Sequence, residues 1–542
     1  MPKRKRGVTR DAARRQQAIM KRERRVAATD EERNRRFSTM AKSGQDRRTK
    51  LIKKISEEKF EELILDIMEQ RKEQIMPETY EAGDVQRSEM PASKEETRDK
   101  LSVSMYIIFL VLIIDLLGFT VILPLMPSIF EYYDANEKDH LYHWMESKIH
   151  YFQALFGAPD EFNKVLFGGF IGSVFSALQF LVAPIFGSLS DVYGRKIVMI
   201  ISMIGIAISH GVWCYSDYFY LFVIARIIGG LSRANISLST AIVTDLCSER
   251  QRSKGMALIG IAFAIGFIVG PVIGAIFASR GVKFSQNFYV LPALFALTMT
   301  IIDIFLLVIF FKESLPKEKR ASSVGQGLSE AYQFISPLSL FSFNPVANMK
   351  PAEKSALKKI GLTYFLFLFI YSGLEYSLSF LTHMRFNFTR MQQGKMYLFS
   401  GLIMILVQGG YVRRIPPGKE IRSAALGALL IIPAFVLIGI SSSVELLYVG
   451  LALYAYASAT VVPCLTTIAS KFGATSQKGT VLGIFRSLGS LARAIGPLVS
   501  AVAYWSLTPT VSYCIGGLLL IIPLVLILKL SKELSEIVDK GD

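Results

Sequence analysis

From Leu101 onward, stretches of about twenty apolar residues recur to the end of the chain, separated by short polar links. At about 1.5 Å of rise per helical residue, each is long enough to cross a hydrocarbon layer of ~30 Å. They lie near 103–129, 164–186, 197–215, 219–244, 254–278, 288–311, 357–381, 396–412, 423–440, 444–470, 479–504 and 510–530. In lipid every backbone N–H needs a partner inside the segment, so such stretches fold as helices. The pattern predicts an all-α membrane protein with twelve transmembrane helices, six in each of two halves. The chain is 51% apolar and 19% charged, and its charges crowd into the tail and loops, which excludes an ordinary soluble enzyme.

The expected organisation has five parts. Residues 1–100 form a basic cytosolic tail, 101–311 the first six-helix half, 312–356 a central loop, 357–530 the second half and 531–542 a short C-terminal tail. Residues 1–54 hold 20 Lys/Arg against 6 Asp/Glu, so 14 of the net +17 charge lies there. Such a segment is too polar to bury a core, although 51–73 places Phe60, Leu63, Ile64 and Ile67 on one helical face. Contact of the tail with anionic lipid or nucleic acid is the functional reading; a solvated tail with one amphipathic helix is the plainer one.

Loop charges set the orientation, because Lys and Arg resist translocation. Arg195, Lys196, Arg250, Arg252, Lys254, Arg413, Arg414, Lys419, Arg422, Lys471 and Lys478 fall on one side with the tail and the central loop. The other side carries Glu131, Asp134, Glu137 and Asp139, with the 382–395 loop as an exception through Arg385, Arg390 and Lys395. Both termini are expected in the cytosol of a plasma membrane or an internal membrane, the nuclear envelope included. The opposite loop contains Asn387-Phe-Thr389, an acceptor sequence for N-glycosylation. Cys214, Cys247, Cys464 and Cys514 form no CxxC pair, and nothing calls for a metal or another cofactor.

Between the second and third helices lies Gly187-Ser-Leu-Ser-Asp191-Val-Tyr-Gly194-Arg195-Lys196, read as a glycine turn on a loop with one acid and two bases. It resembles the motif that defines the major facilitator superfamily. Asp115 with Gly118, Pro124 and Pro127 resembles that family's first-helix pattern, and Arg226 with Gly229 and Gly230, followed by Asp245, its fourth-helix pattern. Gly266, Gly270, Pro271 and Gly274 resemble the fifth-helix motif of the proton-exchanging drug exporters; their small side chains also let helices approach closely. Lys478-Gly479 leading to Gly496-Pro497 repeats Lys254-Gly255 leading to Gly270-Pro271, an internal echo of two halves. The stretches Phe167 to Arg195, Arg226 to Leu246, Tyr371 to Tyr397 and Val461 to Trp505 are similar to the animal tetracycline-transporter-like branch, across about 100–530. That resemblance implies secondary transport of organic anions. The 409–414 loop keeps glycines and bases without an acid, so only the first half is expected to make the gating contact.

Charges inside a membrane cost roughly 2.5–3.5 kcal/mol each and are functional suspects. Arg226, Arg233, Arg486 and Arg493 are the expected substrate-binding residues. Each pair is seven residues apart, about 700° of turn, which puts its members on one face. Asp115 and Glu375 are the expected proton-coupling acids, and the plainer reading pairs these acids permanently with the arginines. Asp303 and His210 are expected to be local structural partners. Phe380, Tyr371, Tyr376 and Tyr454 are expected to stack on the apolar part of a substrate. Gly187, Asp191, Gly194, Arg195 and Asp245 are the expected gate, with Asp191 near Gly479 at the start of helix eleven and Arg195 meeting Asp245. The reading is an alternating-access carrier of a small organic anion, with protons as possible co-substrate and no enzyme activity. Its rivals are an exporter of cationic or neutral drugs and a membrane-anchored scaffold using the basic tail.

Overall fold

The computed structural model describes residues 102–136, 139–156, 159–247, 249–284, 287–321, 332–346, 349–416, 418–472 and 478–539. The tail expected at 1–100 and its helix at 51–73 lie outside the described residues. Among the described residues the chain is helical and carries no strand. In order, the helices are α1 (Val103–Thr120), α2 (Met126–Asp134), α3 (His140–Phe156), α4 (Asn163–Tyr193), α5 (Arg195–Cys214), α6 (Phe219–Ser232), α7 (Asn235–Leu246), α8 (Glu249–Phe284) and α9 (Val290–Ile309). After the link come α10 (Pro337–Ser342), α11 (Pro351–Phe386), α12 (Arg390–Leu406), α13 (Glu420–Ile440), α14 (Val444–Ala469), α15 (Lys478–Leu507), α16 (Pro509–Leu519) and α17 (Ile521–Asp539).

Eleven segments of the described chain are long and apolar enough to cross a membrane. Four are composite: α1 bends into α2 around Pro124 and Pro127, α6 breaks into α7 at Arg233 and Ala234, α12 runs on through a π turn at Val407–Tyr411 to Arg414, and α16 runs on into α17. The helix expected eleventh, α15, is present over 30 residues. It falls outside the apolar set because Arg486, Arg493 and a run of glycines and serines dilute its aliphatic residues.

Local chemistry explains the ends. Pro351 and Pro509 occupy first turns, where a missing N–H costs nothing. Thr389 and Gln392 form a reciprocal cap on α12, and the Ser443 hydroxyl accepts from Leu446 N at the start of α14. The second half therefore starts at Pro351 rather than 357, and α17 continues through the start of the expected tail at 531. Asn387 ends α11 with φ 51°, a left-handed turn that asparagine tolerates.

The small residues of α8 face the first span. Gly266 lies against Leu116, Gly270 against Thr120 and Gly274 against the Val121 carbonyl, leaving no room for a Cβ. Thr120 Oγ1 donates to Gly266 O at 2.7 Å across that seam. Gly496 packs against the Phe369 carbonyl on α11, and the Pro497 carbonyl meets Gly169 of α4.

Candidate transport site

The motif at 187–196 is mostly helical, which corrects the expected loop: Gly187 and Asp191 lie in the last turns of α4, and only Gly194, at φ 102°, turns the chain. A side chain at Gly194 would meet Glu313 and Arg320. Arg195 then opens α5. Its Nε donates to Asp245 Oδ2 at 2.9 Å, its Nη2 meets Asp191 Oδ1 at 2.7 Å and its Nη1 reaches Ser190 Oγ at 2.5 Å. Glu313, unremarked in the sequence, accepts from the backbone N–H groups of Arg195 and Lys196 at 2.9 and 3.1 Å and so caps α5. One arginine thus ties α4, α5 and α7 of the first half together.

The two halves meet toward the opposite end of the bundle. There Trp505 Nε1 donates to Asn163 Oδ1 at 2.8 Å, Leu498 N to Ser173 Oγ at 3.0 Å and Tyr376 Oη to Gly168 O at 2.5 Å. Gly394 lies on Pro271 and Ala275, and Gly401 on Ile268. Phe380 and Tyr376 crowd Gly168, so these two expected substrate aromatics take part in closing that end.

The in-membrane charges divide differently from the expectation of two equivalent ladders. Because α6 ends at Ser232, Arg226 and Arg233 do not share one continuous helical face. Arg233 Nη2 pairs with Asp115 Oδ2 at 2.9 Å, its guanidinium lies 3.9 Å from the centre of the Phe119 ring, and Asn235 Nδ2 donates to the same carboxylate oxygen. This pair follows the plainer reading. Arg226 has no hydrogen bond or ion pair among the described residues. It sits among the rings of Phe175, Phe222 and Trp213 at 5.4–5.9 Å. A space of about 10 Å³ adjoins it, just the size for one water. Asp303 is not the partner of His210: His210 Nδ1 is 3.1 Å from Thr300 Oγ1, and both Asp303 carboxylate oxygens are buried without a hydrogen bond.

In the second half α15 is continuous through Arg486 and Arg493, so their seven-residue spacing does place them on one face. Neither makes a hydrogen bond or ion pair among the described residues, and Arg493 is exposed. Arg493 is near enough to influence Glu375 electrostatically yet beyond ion-pair distance. Glu375 is instead held by phenols. Tyr371 and Tyr454 donate to its Oε1 at 3.0 and 2.6 Å, their rings stack 5.5 Å apart, and Tyr371 Oη lies 2.7 Å from Ser458 Oγ. The permanent Arg–Glu375 pair of the plainer reading is absent among the described residues. Ser458 and the donor role of the two tyrosines went unnoticed in the sequence; Tyr371 one helical turn before Glu375 was the available signal.

A helical bundle with eleven described segments long and apolar enough to cross a membrane, arranged as two halves, is the architecture of a membrane carrier, and the chain belongs to the major facilitator superfamily, whose family model matches residues 108–497. Its relatives and its fold are those of transporters and not of enzymes. Mouse (Mus musculus) major facilitator superfamily domain-containing protein 10 is 45% identical over 455 residues, 83% of this chain and 97% of that protein. The human protein of that name is 46% identical over 431 residues, 78% of this chain and 92% of its own length. The crystal structure of the human organic anion transporter MFSD10 (TETRAN) matches with a TM-score of 0.66 at 44% identity, covering 78% of this chain and 98% of that one.

Proposed function

We propose that this carrier moves small organic anions by alternating access, with Arg226, Arg486 and Arg493 as the cationic surface that receives them. The observation that carries this reading is three arginines, Arg226 in the first half and Arg486 and Arg493 in the second, that have no acid partner among the described residues. A cation taken out of water needs an anion, and among the described residues no acid pairs with buried Arg226 or half-buried Arg486, while Arg493 stands exposed to one arriving from outside. The solved relative described as an organic anion transporter supports the same substrate class.

Glu375 is the proton-coupling candidate, since its carboxyl is held by hydroxyls and not by a cation. Asp115, locked on Arg233, serves mainly to neutralise that arginine. The gate at Asp191, Arg195 and Asp245 acts at the motif end, which we assign to the cytosol with both termini. When that end closes, Asp191 approaches the first N–H groups of α15 near Gly479.

Flux into proteoliposomes with a panel of carboxylates, with and without a pH gradient, tests the reading. Saturable carboxylate flux that a pH gradient drives supports it. Flux of lipophilic cations with no competition from carboxylates would return the choice to a drug exporter.

A further inference from the structure

We propose that Glu131 and His383 together form a proton-binding site that joins the two halves at the end opposite the motif, filled when that end is closed and emptied when it opens. Glu131 belongs to α2 in the first half and His383 to the last turn of α11 in the second. His383 Nε2 lies 2.7 Å from Glu131 Oε1, and its Nδ1 lies 3.1 Å from the carbonyl oxygen of Phe388. A carbonyl only accepts, and an ionised carboxylate only accepts. Both ring nitrogens therefore face acceptors, whereas a neutral imidazole has a single N–H to give. The arrangement holds one proton more than a neutral imidazole beside a carboxylate, whether that proton is assigned to the ring or to Glu131.

The two acceptors differ in where they are anchored. Phe388 O is fixed in the same half as the histidine: Asn387 turns the chain at φ 51°, Phe388 N donates to Thr382 O at 3.3 Å, and the Phe388 ring is buried. Glu131 comes from the other half. Separating the halves at this end removes Glu131 alone and leaves an imidazole that needs only one proton.

Water reaches the pair. The side chains are 45% (Glu131) and 24% (His383) exposed, and they border a cavity of about 150 Å³ with Lys164, Met384 and Asn387. The other charges facing it are Lys164, whose Nζ is bound to Asp134 Oδ2 at 2.9 Å, and Arg390, whose guanidinium covers the Phe288 ring at 3.7 Å. Lys164 is held within the first half, whereas Arg390, from α12, adds beside the pair a cation–ring contact between the halves that carries no exchangeable proton of its own near neutral pH.

The closed state then binds one proton more than the open state, so the ratio of closed to open rises as pH falls, by at most tenfold per pH unit. Outer closure takes up a proton from the compartment this end faces, independently of whether the cargo is an organic anion.

The test uses the full chain in nanodiscs, in a cysteine-free background. Spin labels go at Tyr215→Cys and Ser442→Cys, exposed positions in loops of the two halves at this end. Pulsed dipolar distances are read from about pH 5.5 to about pH 8, a range that brackets free histidine. The short-distance population should grow several-fold at the acid end, and Glu131→Gln or His383→Gln should flatten that dependence. If a single variant is poorly recovered, Glu131→Gln with His383→Gln keeps two groups that can hydrogen-bond but not titrate, and its distances should not respond to pH. A pH-independent wild type, or variants that keep the wild-type slope, would overturn the proposal.

Discussion

The four arginines expected to bind substrate, Arg226, Arg233, Arg486 and Arg493, share a charge and little else. Arg233 is a buried ion pair with Asp115. Removing one partner of such a pair strands the other, at roughly 3–5 kcal/mol, while removing both leaves no unpaired charge. Arg233→Gln should therefore reduce the amount of folded protein far more than the double Asp115→Asn, Arg233→Gln variant, as read by size-exclusion recovery and thermal unfolding. Among the described residues Arg486 and Arg493 have no such partner to strand, so their loss should spare folding and appear in substrate affinity. Each charge-assisted contact with a carboxylate contributes ~1.5–3 kcal/mol, or roughly ten- to a hundredfold in affinity. Lys should restore part of that and Gln little, because Lys keeps the charge without the planar fork. Unchanged anion affinity in both Arg486→Gln and Arg493→Gln would move the site to Arg226.

Among the elements, α4 and α5 carry the gating argument, because Arg195 holds Asp191 and Asp245 in this structure from a single guanidinium. Asp191→Asn weakens that cluster and the proposed approach to α15 together. Transport should fall severely while expression and substrate binding persist; normal flux in the variant would remove Asp191 from the mechanism. Most of these elements were legible in the sequence. Long apolar runs announce helices whatever their neighbours do, and glycines at 266, 270 and 274 announce a close seam. Of the charge partners, Arg195 with Asp245 was legible and Arg233 with Asp115 was the plainer of two readings, while the others were not. The break at Arg233 turned one expected ladder into an ion pair, and the helical path of Gly187 to Tyr193 replaced an expected loop. The reach of Glu313 to the start of α5, and of Tyr454 to Glu375 across 79 residues, comes from helices meeting in space. Spacing along one segment carries no information about such meetings.

At the scale of the whole molecule, the contacts between the halves gather toward the end opposite the motif, at Asn163–Trp505, Ser173–Leu498, Tyr376–Gly168 and Glu131–His383. The contacts of Arg195, by contrast, stay inside the first half, as Lys471–Glu420 and Lys359–Glu533 stay inside the second. That distribution is what a carrier closed at one end requires, and alternating access requires that it be undone in every cycle. A bond that cannot be undone should therefore stop the cycle without harming the fold. With Asn163→Cys and Trp505→Cys on a cysteine-free background, a short bis-methanethiosulfonate, which joins two thiols through disulfides with loss of methanesulfinate, should link α4 to α15 and abolish flux, and reduction should restore it. The same reagent on either single-cysteine variant should leave flux as it was. Full transport by cross-linked protein would mean that α4 and α15 do not separate at this end, and rocking of two halves would have to give way to a mechanism that moves a smaller part of the bundle.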